Sequence, residues 1–203
     1  MDAEVVSACE NICRDFSWVG PATEWLRNLA IIVGVWVAYN QLNAWRRERL
    51  MTTNADVALE LYNAAMETSK LLSDVRRGFE MLPPSSTFED KVEQKIQRYH
   101  DRHEVIDGLL EKRIKAEVFL NDENLDTSIE LLLKAVSKTQ ATLLTLRGHD
   151  GKPTGDEDTD NFYSELRRLM YELDDDEISV MQRQAMMELK DSLFPIIRLQ
   201  RRL

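Results

Sequence analysis

Apolar residues recur along most of this chain at intervals of three and four positions, the period of an α-helix. The longest regular stripe consists of Ala58, Leu61, Ala65, Thr68, Leu72, Val75 and Phe79. Such spacing is typical of a helix face that packs against neighbouring helices. No segment alternates apolar and polar residues as a half-buried strand does. The pattern therefore predicts an all-α protein.

Breaks in this pattern divide the region after residue 50 into four to five helices. Leu82-Pro83-Pro84-Ser85-Ser86 ends the first of them, because proline stops a helix. The second begins at Thr87 and places on one face Val92, Ile96, Tyr99, His103, Ile106, Leu110, Ile114 and Val118. The third covers about 126–147 and ends at Gly148, which has the position of a C-terminal glycine cap.

Two further stripes follow an acidic, glycine-containing loop over residues 148–160. One carries Phe162, Leu166, Leu169 and Leu173, and the other runs from Ile178 to Ile196. Pro195 predicts a kink in the last helix. Asp174 and Glu177, just before it, have the spacing of a capping box. Since long helices joined by short turns pack as antiparallel bundles, we expect such a bundle over residues 51–203.

A different pattern, with consecutive apolar residues, lies between Trp25 and Trp45. Its unbroken part, Leu29–Tyr39, is shorter than the roughly 20 residues that a membrane span needs. The two tryptophans, however, would lie roughly 30 Å apart on a helix, the thickness of the hydrocarbon core, and tryptophan prefers both interfaces. We therefore predict a membrane-anchor helix within residues 21–50. The alternative is a buried helix of a soluble domain.

Basic residues indicate the orientation of this anchor. Arg46, Arg47 and Arg49 follow the second tryptophan directly, and such clusters stay on the cytoplasmic side. We expect an inner-membrane protein with its N-terminus, including a short amphipathic segment over residues 1–20, outside and its C-terminal domain in the cytoplasm. Asn40 and Asn43 are neighbours on one helix face, and they face either a partner helix or the headgroups.

Composition excludes some classes of function. With 203 residues and a net charge of −10, the chain suits one modest domain with an appendage and does not suit nucleic-acid binding, which needs clustered Lys and Arg. Its two cysteines cannot form a disulfide framework by themselves. Nothing in the sequence indicates a cofactor.

A weak candidate for a metal site lies in the second predicted helix. His100 and Glu104 share a face there, and Asp107 follows about one turn later. Helical di-iron proteins, however, use paired Glu-x-x-His motifs, and this chain contains none. The alternative is a solvated helix face, with His103 as a hydrogen-bonded histidine on the apolar side. We also find no nucleophile beside a base at a recognisable spacing, so no catalytic residue is predicted.

Four segments carry a resemblance to known sequences: WVAYNQLNAWRRERL (36–50), ALELYNAA (58–65), YELDDDEIS (171–179) and SLFPIIRL (192–199). Together with a histidine-containing middle helix, this arrangement resembles a family of uncharacterised small bacterial proteins. That resemblance implies one N-terminal membrane segment followed by a helical cytoplasmic domain. It implies no activity.

Three functions agree with these observations. The first is a membrane-tethered helical module that binds a protein partner or self-associates, with the lipid bilayer as its other partner. The second is a membrane-acting effector, of a stress or phage-defence type, that oligomerises in the bilayer through Asn40 and Asn43. The third is a metal-dependent helical-bundle enzyme that uses the helix around His100.

Overall fold

The computed structural model describes residues 19–78, 86–149 and 151–200, and these contain six helices and no strand. The predicted all-α class is therefore confirmed for this part of the chain. The helices are α1 (Val19–Arg76), α2 (Phe88–Asp101), α3 (Glu104–Phe119), α4 (Glu123–Leu146), α5 (Glu157–Met170) and α6 (Glu177–Gln200). The amphipathic segment predicted at the N-terminus lies, up to residue 18, outside the described residues, as does Phe79.

The chain divides into two compact units, Met1–Leu50 and Met51–Leu203. In the second unit, which we call the helical domain, α4 contacts α2, α3, α5 and α6. The main core contains residues from five helices: Val57, Ala58, Leu61, Ala65, Leu72, Leu109, Ala116, Leu125, Ile129, Leu132, Ala135, Val136, Leu169, Ile178, Met181, Ala185, Leu189 and Leu193. The antiparallel order of these helices stays a prediction.

Two of the predicted apolar faces are buried in the helical domain. On α1, every described member of the stripe from Ala58 to Val75 is buried, including Thr68. On α4, the buried residues include Ile129, Leu132, Val136, Leu143 and Leu146. The helix begins at Glu123, earlier than expected, because the side chain of Asp122 accepts a hydrogen bond from the backbone N–H of Asn124. Gly148 follows α4 with a positive φ of 81°, as its predicted capping role requires.

The prediction of one long second helix was wrong, because this part of the chain forms two helices. α2 ends at Asp101, and α3 begins at Glu104 after a turn at Arg102 and His103. The turn changes which face points inward. Leu109 and Ala116 are the buried residues of α3, whereas His103, Leu110, Ile114 and Val118, expected on the core face, are exposed.

The start of the last helix also differs from the prediction. Asp174 is exposed, and the residue that caps α6 is Asp176, whose carboxylate accepts the backbone N–H of Ser179 at 2.9 Å. Leu173, expected on α5, is exposed and lies after that helix has ended at Met170. Pro195 lies inside α6, which runs on to Gln200.

Candidate functional site

The first candidate site is the run of apolar side chains from Trp25 to Trp45, which we call the apolar segment. In its centre, Ile31, Ile32 and Val33 are 58%, 68% and 49% exposed. Every residue from Arg27 to Leu42 is exposed, and because successive helical residues differ by about 100°, no face of this part of the helix is covered. The other large exposed side chains of the segment are Trp25, Leu29, Val35, Trp36, Val37, Tyr39, Leu42 and Trp45. Soluble domains rarely expose apolar surface in this way.

Cationic side chains mark one end of the apolar segment. Arg46, Arg47 and Arg49 are all exposed, and the guanidinium carbon of Arg49 lies 4.8 Å from the centroid of the Trp45 ring. This distance is typical of a cation–π contact. An aromatic ring with an arginine beyond it is an arrangement typical of the boundary between hydrocarbon and headgroups.

Polar residues interrupt the apolar segment. Asn40, which follows Tyr39, is exposed, and Asn43, three residues later, is half-buried. Within the described ranges, no helix combines the length and the apolar character needed to cross a membrane. The predicted transmembrane helix is therefore not supported by the structure.

The predicted metal candidates do not form a site. His100 lies in the last turn of α2, whereas Glu104 and Asp107 lie in α3, and all three are exposed. The turn between the helices removes the shared face that a continuous helix would give them. The described part of the chain holds no group of three or more His, Cys, Asp or Glu residues able to bind a metal ion. His103 precedes α3, and its Nδ1 lies 2.9 Å from the carbonyl oxygen of His100.

Sequence reasoning missed a buried polar junction between the ends of α1 and α5 and the start of α6. Nη2 of Arg76 lies 2.7 Å from a carboxylate oxygen of Asp176, and both side chains are 1% exposed. Arg76 also donates to the carbonyls of Leu169 and Tyr171 and to the hydroxyl of Ser179, at 2.8 to 3.1 Å. The sequence carried only part of the signal, because Asp176 precedes Ser179 by three, the spacing of a cap, but no local pattern pairs it with Arg76.

This junction holds Asp176 as a carboxylate. Burial alone would raise the pKa of Asp176, but hydrogen bonds from Arg76, from the backbone N–H and hydroxyl of Ser179 and from the backbone N–H of Leu173 outweigh it. Together they lower the pKa from 3.8 to about 2. A carboxylate with so low a pKa is a poor general base, so Ser179 is not activated as a nucleophile. The junction serves to join helices.

A second buried cation completes the end of α1. Lys95 of α2 is fully buried, and its Nζ donates to the carbonyl oxygens of Val75 and Arg77 at 2.9 and 2.8 Å. The backbone N–H of Glu172 donates to the carbonyl of Arg76 between them, at 3.0 Å. These carbonyls would otherwise lack partners at a helix end, and a cation is favourable there.

A cleft of about 550 Å³ lies beside this junction and is lined by Leu71, Asp74, Val75, Arg77, Arg98, Asp101 and Arg102. Two of its three arginines are paired with Asp74. Asp74 accepts hydrogen bonds from Arg77 at 3.1 Å and from Arg102 at 2.7 Å. The cleft therefore presents mixed charge, with no concentrated field for an anion or a cation.

Comparisons of the chain with models of protein families, with curated proteins and with solved structures find no match. The resemblance to small bacterial membrane proteins stays a prediction.

Proposed function

We propose that this protein is a membrane-tethered helical interaction module. The apolar segment is embedded in a lipid bilayer, and the helical domain binds a protein partner at the cytoplasmic face. The observation that carries this proposal is the exposure of large apolar side chains on all sides of the apolar segment. A helix that is apolar all round is stable only when it is covered.

The energy available from covering these residues supports the proposal. Transfer of one fully exposed Ile, Val or Leu side chain out of water is worth about 1.5–3 kcal/mol. Even at half that value for partly exposed residues, the segment from Leu29 to Tyr39 would gain on the order of 10 kcal/mol. This gain is sufficient for stable attachment of a small domain to lipid.

The shortness of the apolar run is compatible with such an attachment. From Leu29 to Tyr39 the helix rises roughly 17 Å, whereas from Trp25 to Trp45 it rises roughly 30 Å. A short apolar run is accommodated in a bilayer by local thinning and by flanking polar side chains that reach the headgroups. Asn40 and Asn43 would then lie at headgroup level, next to Arg46 and Arg47.

Charge supports the orientation. The three arginines at 46–49 would face the negatively charged cytoplasmic leaflet, where each is worth about 1 kcal/mol. The helical domain follows them in the chain and would therefore lie in the cytoplasm, with the N-terminus outside.

Flotation of the purified full-length protein with vesicles tests the attachment. The vesicles contain phosphatidylcholine with about a quarter of anionic phosphatidylglycerol. We compare the natural chain with the double variant Ile32→Asp/Val35→Asp. The matched control is Leu144→Asp/Met187→Asp, which adds the same charge at exposed apolar positions of the helical domain.

We expect the natural chain and the control to float and the segment variant to stay at the bottom. Each aspartate in the centre of a membrane helix costs about 3 kcal/mol, so two reduce partitioning by more than about a thousandfold. Equal flotation of all three proteins would contradict the proposal, as would a natural chain that does not float. If a non-floating chain forms an oligomer that the segment variant lacks, the segment is covered by other copies of itself.

A further inference from the structure

The helix α3 has an unusual distribution of apolar residues. Leu109 and Ala116 are buried in the core, but Leu110, Ile114 and Val118 are 39%, 64% and 73% exposed. The last three are spaced by four residues, so they lie along one side of the helix. We call this set the α3 stripe.

The turn at Arg102 and His103 explains why the α3 stripe faces outward. Had α2 continued as one helix, Leu110, Ile114 and Val118 would follow Val92 and Ile96 on the core side. The turn instead directs Leu109 and Ala116 inward, and this places Leu110, Ile114 and Val118 on the opposite, exposed side of the helix. α3 therefore has two apolar faces, of which only one is used by the helical domain.

Acidic residues border the α3 stripe. By their helical positions, Asp107 lies at the N-terminal end of the stripe, Glu111 along one side and Glu117 along the other, and all three are exposed. We call these three the acidic rim. Glu111 accepts a hydrogen bond from Lys112 at 2.9 Å.

Two of the three cationic residues of α3 are directed to neighbouring helices. Lys115 donates to Glu60 of α1 at 2.8 Å, and hydrogen bonding to Lys115 lowers the pKa of Glu60. Arg113 donates to Asp126 and Glu130 of α4 at 2.7 and 3.0 Å. The third, Lys112, lies 3.7 Å from Glu60 and 2.9 Å from Glu111 of the acidic rim. Asp107 and Glu117 therefore carry the negative charge beside the α3 stripe.

We propose that the α3 stripe is the docking surface for an amphipathic helix of a partner protein, with apolar residues at i, i+4 and i+7 flanked by Lys or Arg. This rests on the proposed function and names the surface and the chemistry of the partner. An apolar line with charged borders is the usual form of helix-in-groove recognition. Cations beside the partner's apolar residues complement the acidic rim and favour fast association.

The negative charge around the α3 stripe makes other binding partners unfavourable there. Two copies that paired through this stripe would bring the acidic rims together, and an anionic membrane surface or a nucleic acid would be repelled by Asp107, Glu111 and Glu117. The stripe is also small. A surface centred on three side chains supports a transient contact with a Kd on the order of 10 µM, rather than a permanent complex.

Binding of synthetic helices to the full-length protein, kept in a mild non-ionic detergent, tests this proposal. The basic peptide has about 18 residues, leucine at the apolar positions and lysine beside them; the acidic peptide has glutamate in place of lysine. Fluorescence anisotropy gives the two Kd values, with the detergent alone as the blank. The protein variants are Ile114→Asp and, as the matched control, Met187→Asp, an exposed apolar position (59%) on α6.

We expect the basic peptide to bind at least about tenfold more tightly than the acidic one, and less tightly at high salt. Ile114→Asp should weaken this binding by at least about tenfold and Met187→Asp should leave it unchanged. Reversal of the rim in Asp107→Lys/Glu117→Lys should make the acidic peptide the better ligand. Asp107 and Glu117 are both exposed, so we expect this variant to keep its fold, which circular dichroism verifies.

Equal Kd values for the two peptides would overturn the proposal, as would equal effects of Ile114→Asp and Met187→Asp. Sedimentation of the chain alone provides another decisive outcome, because a dimer that only Ile114→Asp dissociates would show that a second copy occupies the stripe. Failure here is distinguishable from failure of the membrane tether, since flotation does not depend on α3 and peptide binding does not depend on Ile32 or Val35.

Discussion

Replacement of Asp176 by asparagine is the perturbation for which the structure gives the clearest magnitude. The change keeps the shape of the side chain but removes the charge that faces Arg76 at 2.7 Å. Loss of one member of a buried ion pair costs about 3–5 kcal/mol, because the other charge stays buried. Arg76 keeps its hydrogen bonds to the carbonyls of Leu169 and Tyr171. We therefore expect the lower end, a loss of about 3 kcal/mol.

The pKa of Asp176 gives a second, independent magnitude. Its lowering from 3.8 to about 2 corresponds to about 2.4 kcal/mol of folding free energy. Since the folded pKa is the lower one, this contribution is present in full above pH 4 and disappears as the pH falls toward 2. The natural chain should lose this stability over that range, in addition to losses at other carboxylates. Asp176→Asn should lack this part of the acid dependence.

Urea unfolding of the full-length chain in a mild non-ionic detergent, followed by far-ultraviolet circular dichroism, measures both effects. The matched control is Asp175→Asn. Asp175 is 77% exposed and pairs with Arg168 at 3.0 Å on the surface, so its loss should cost at most about 1 kcal/mol. Equal stability of the two variants would refute the reasoning.

Three further predictions concern two helix ends and the loop between α4 and α5, and they are tested by the same unfolding measurement. Lys95→Met should lower the free energy of unfolding by about 2 kcal/mol, because it leaves two carbonyls at the end of α1 without a hydrogen-bond donor. The control Lys70→Met, which changes an exposed side chain, should have almost no effect. Thr87→Ala should cost about 1 kcal/mol, because Thr87 forms a complete capping box at the start of α2; an unchanged stability would show that this cap is dispensable. Gly151→Ala should lower the free energy of unfolding more than Gly155→Ala. Both glycines have a positive φ, but only at Gly151 would a Cβ come within 3.1 Å of the side chain of Phe88. Equal losses of stability would show that this close approach has no cost.

The periodic spacing of apolar residues correctly predicted those helices in which a single face is buried in the core. The stripe from Ala58 to Val75 and the buried face of α4 follow directly from the 3.6-residue repeat, because packing in the core requires it. The turn at His103 could not be found in this way. Residues before and after it continue the same apolar repeat, so a continuous helix and two helices of different phase fit the sequence equally well.

The spacing of apolar and polar residues could not predict polar contacts between elements that are distant in the sequence. Asp174, Asp175 and Asp176 are consecutive acids before α6, and any of them could have capped it. The choice depends on Arg76, which lies about 100 residues earlier in the sequence and presents its guanidinium to the start of α6. The predicted apolar segment, by contrast, was visible as consecutive apolar residues, and its exposure agrees with that pattern.

Extraction of membranes from cells that produce the full-length protein tests whether the apolar segment anchors the chain in a bilayer. Membranes are washed with alkaline carbonate, and intact cells are labelled with a maleimide that does not cross the bilayer. Cys9 and Cys13 are the only thiols of the chain. We predict that the protein resists the wash and that its cysteines are labelled from outside. Protein recovered in the soluble fraction, or cysteines that react only after the cells are opened, would contradict the account.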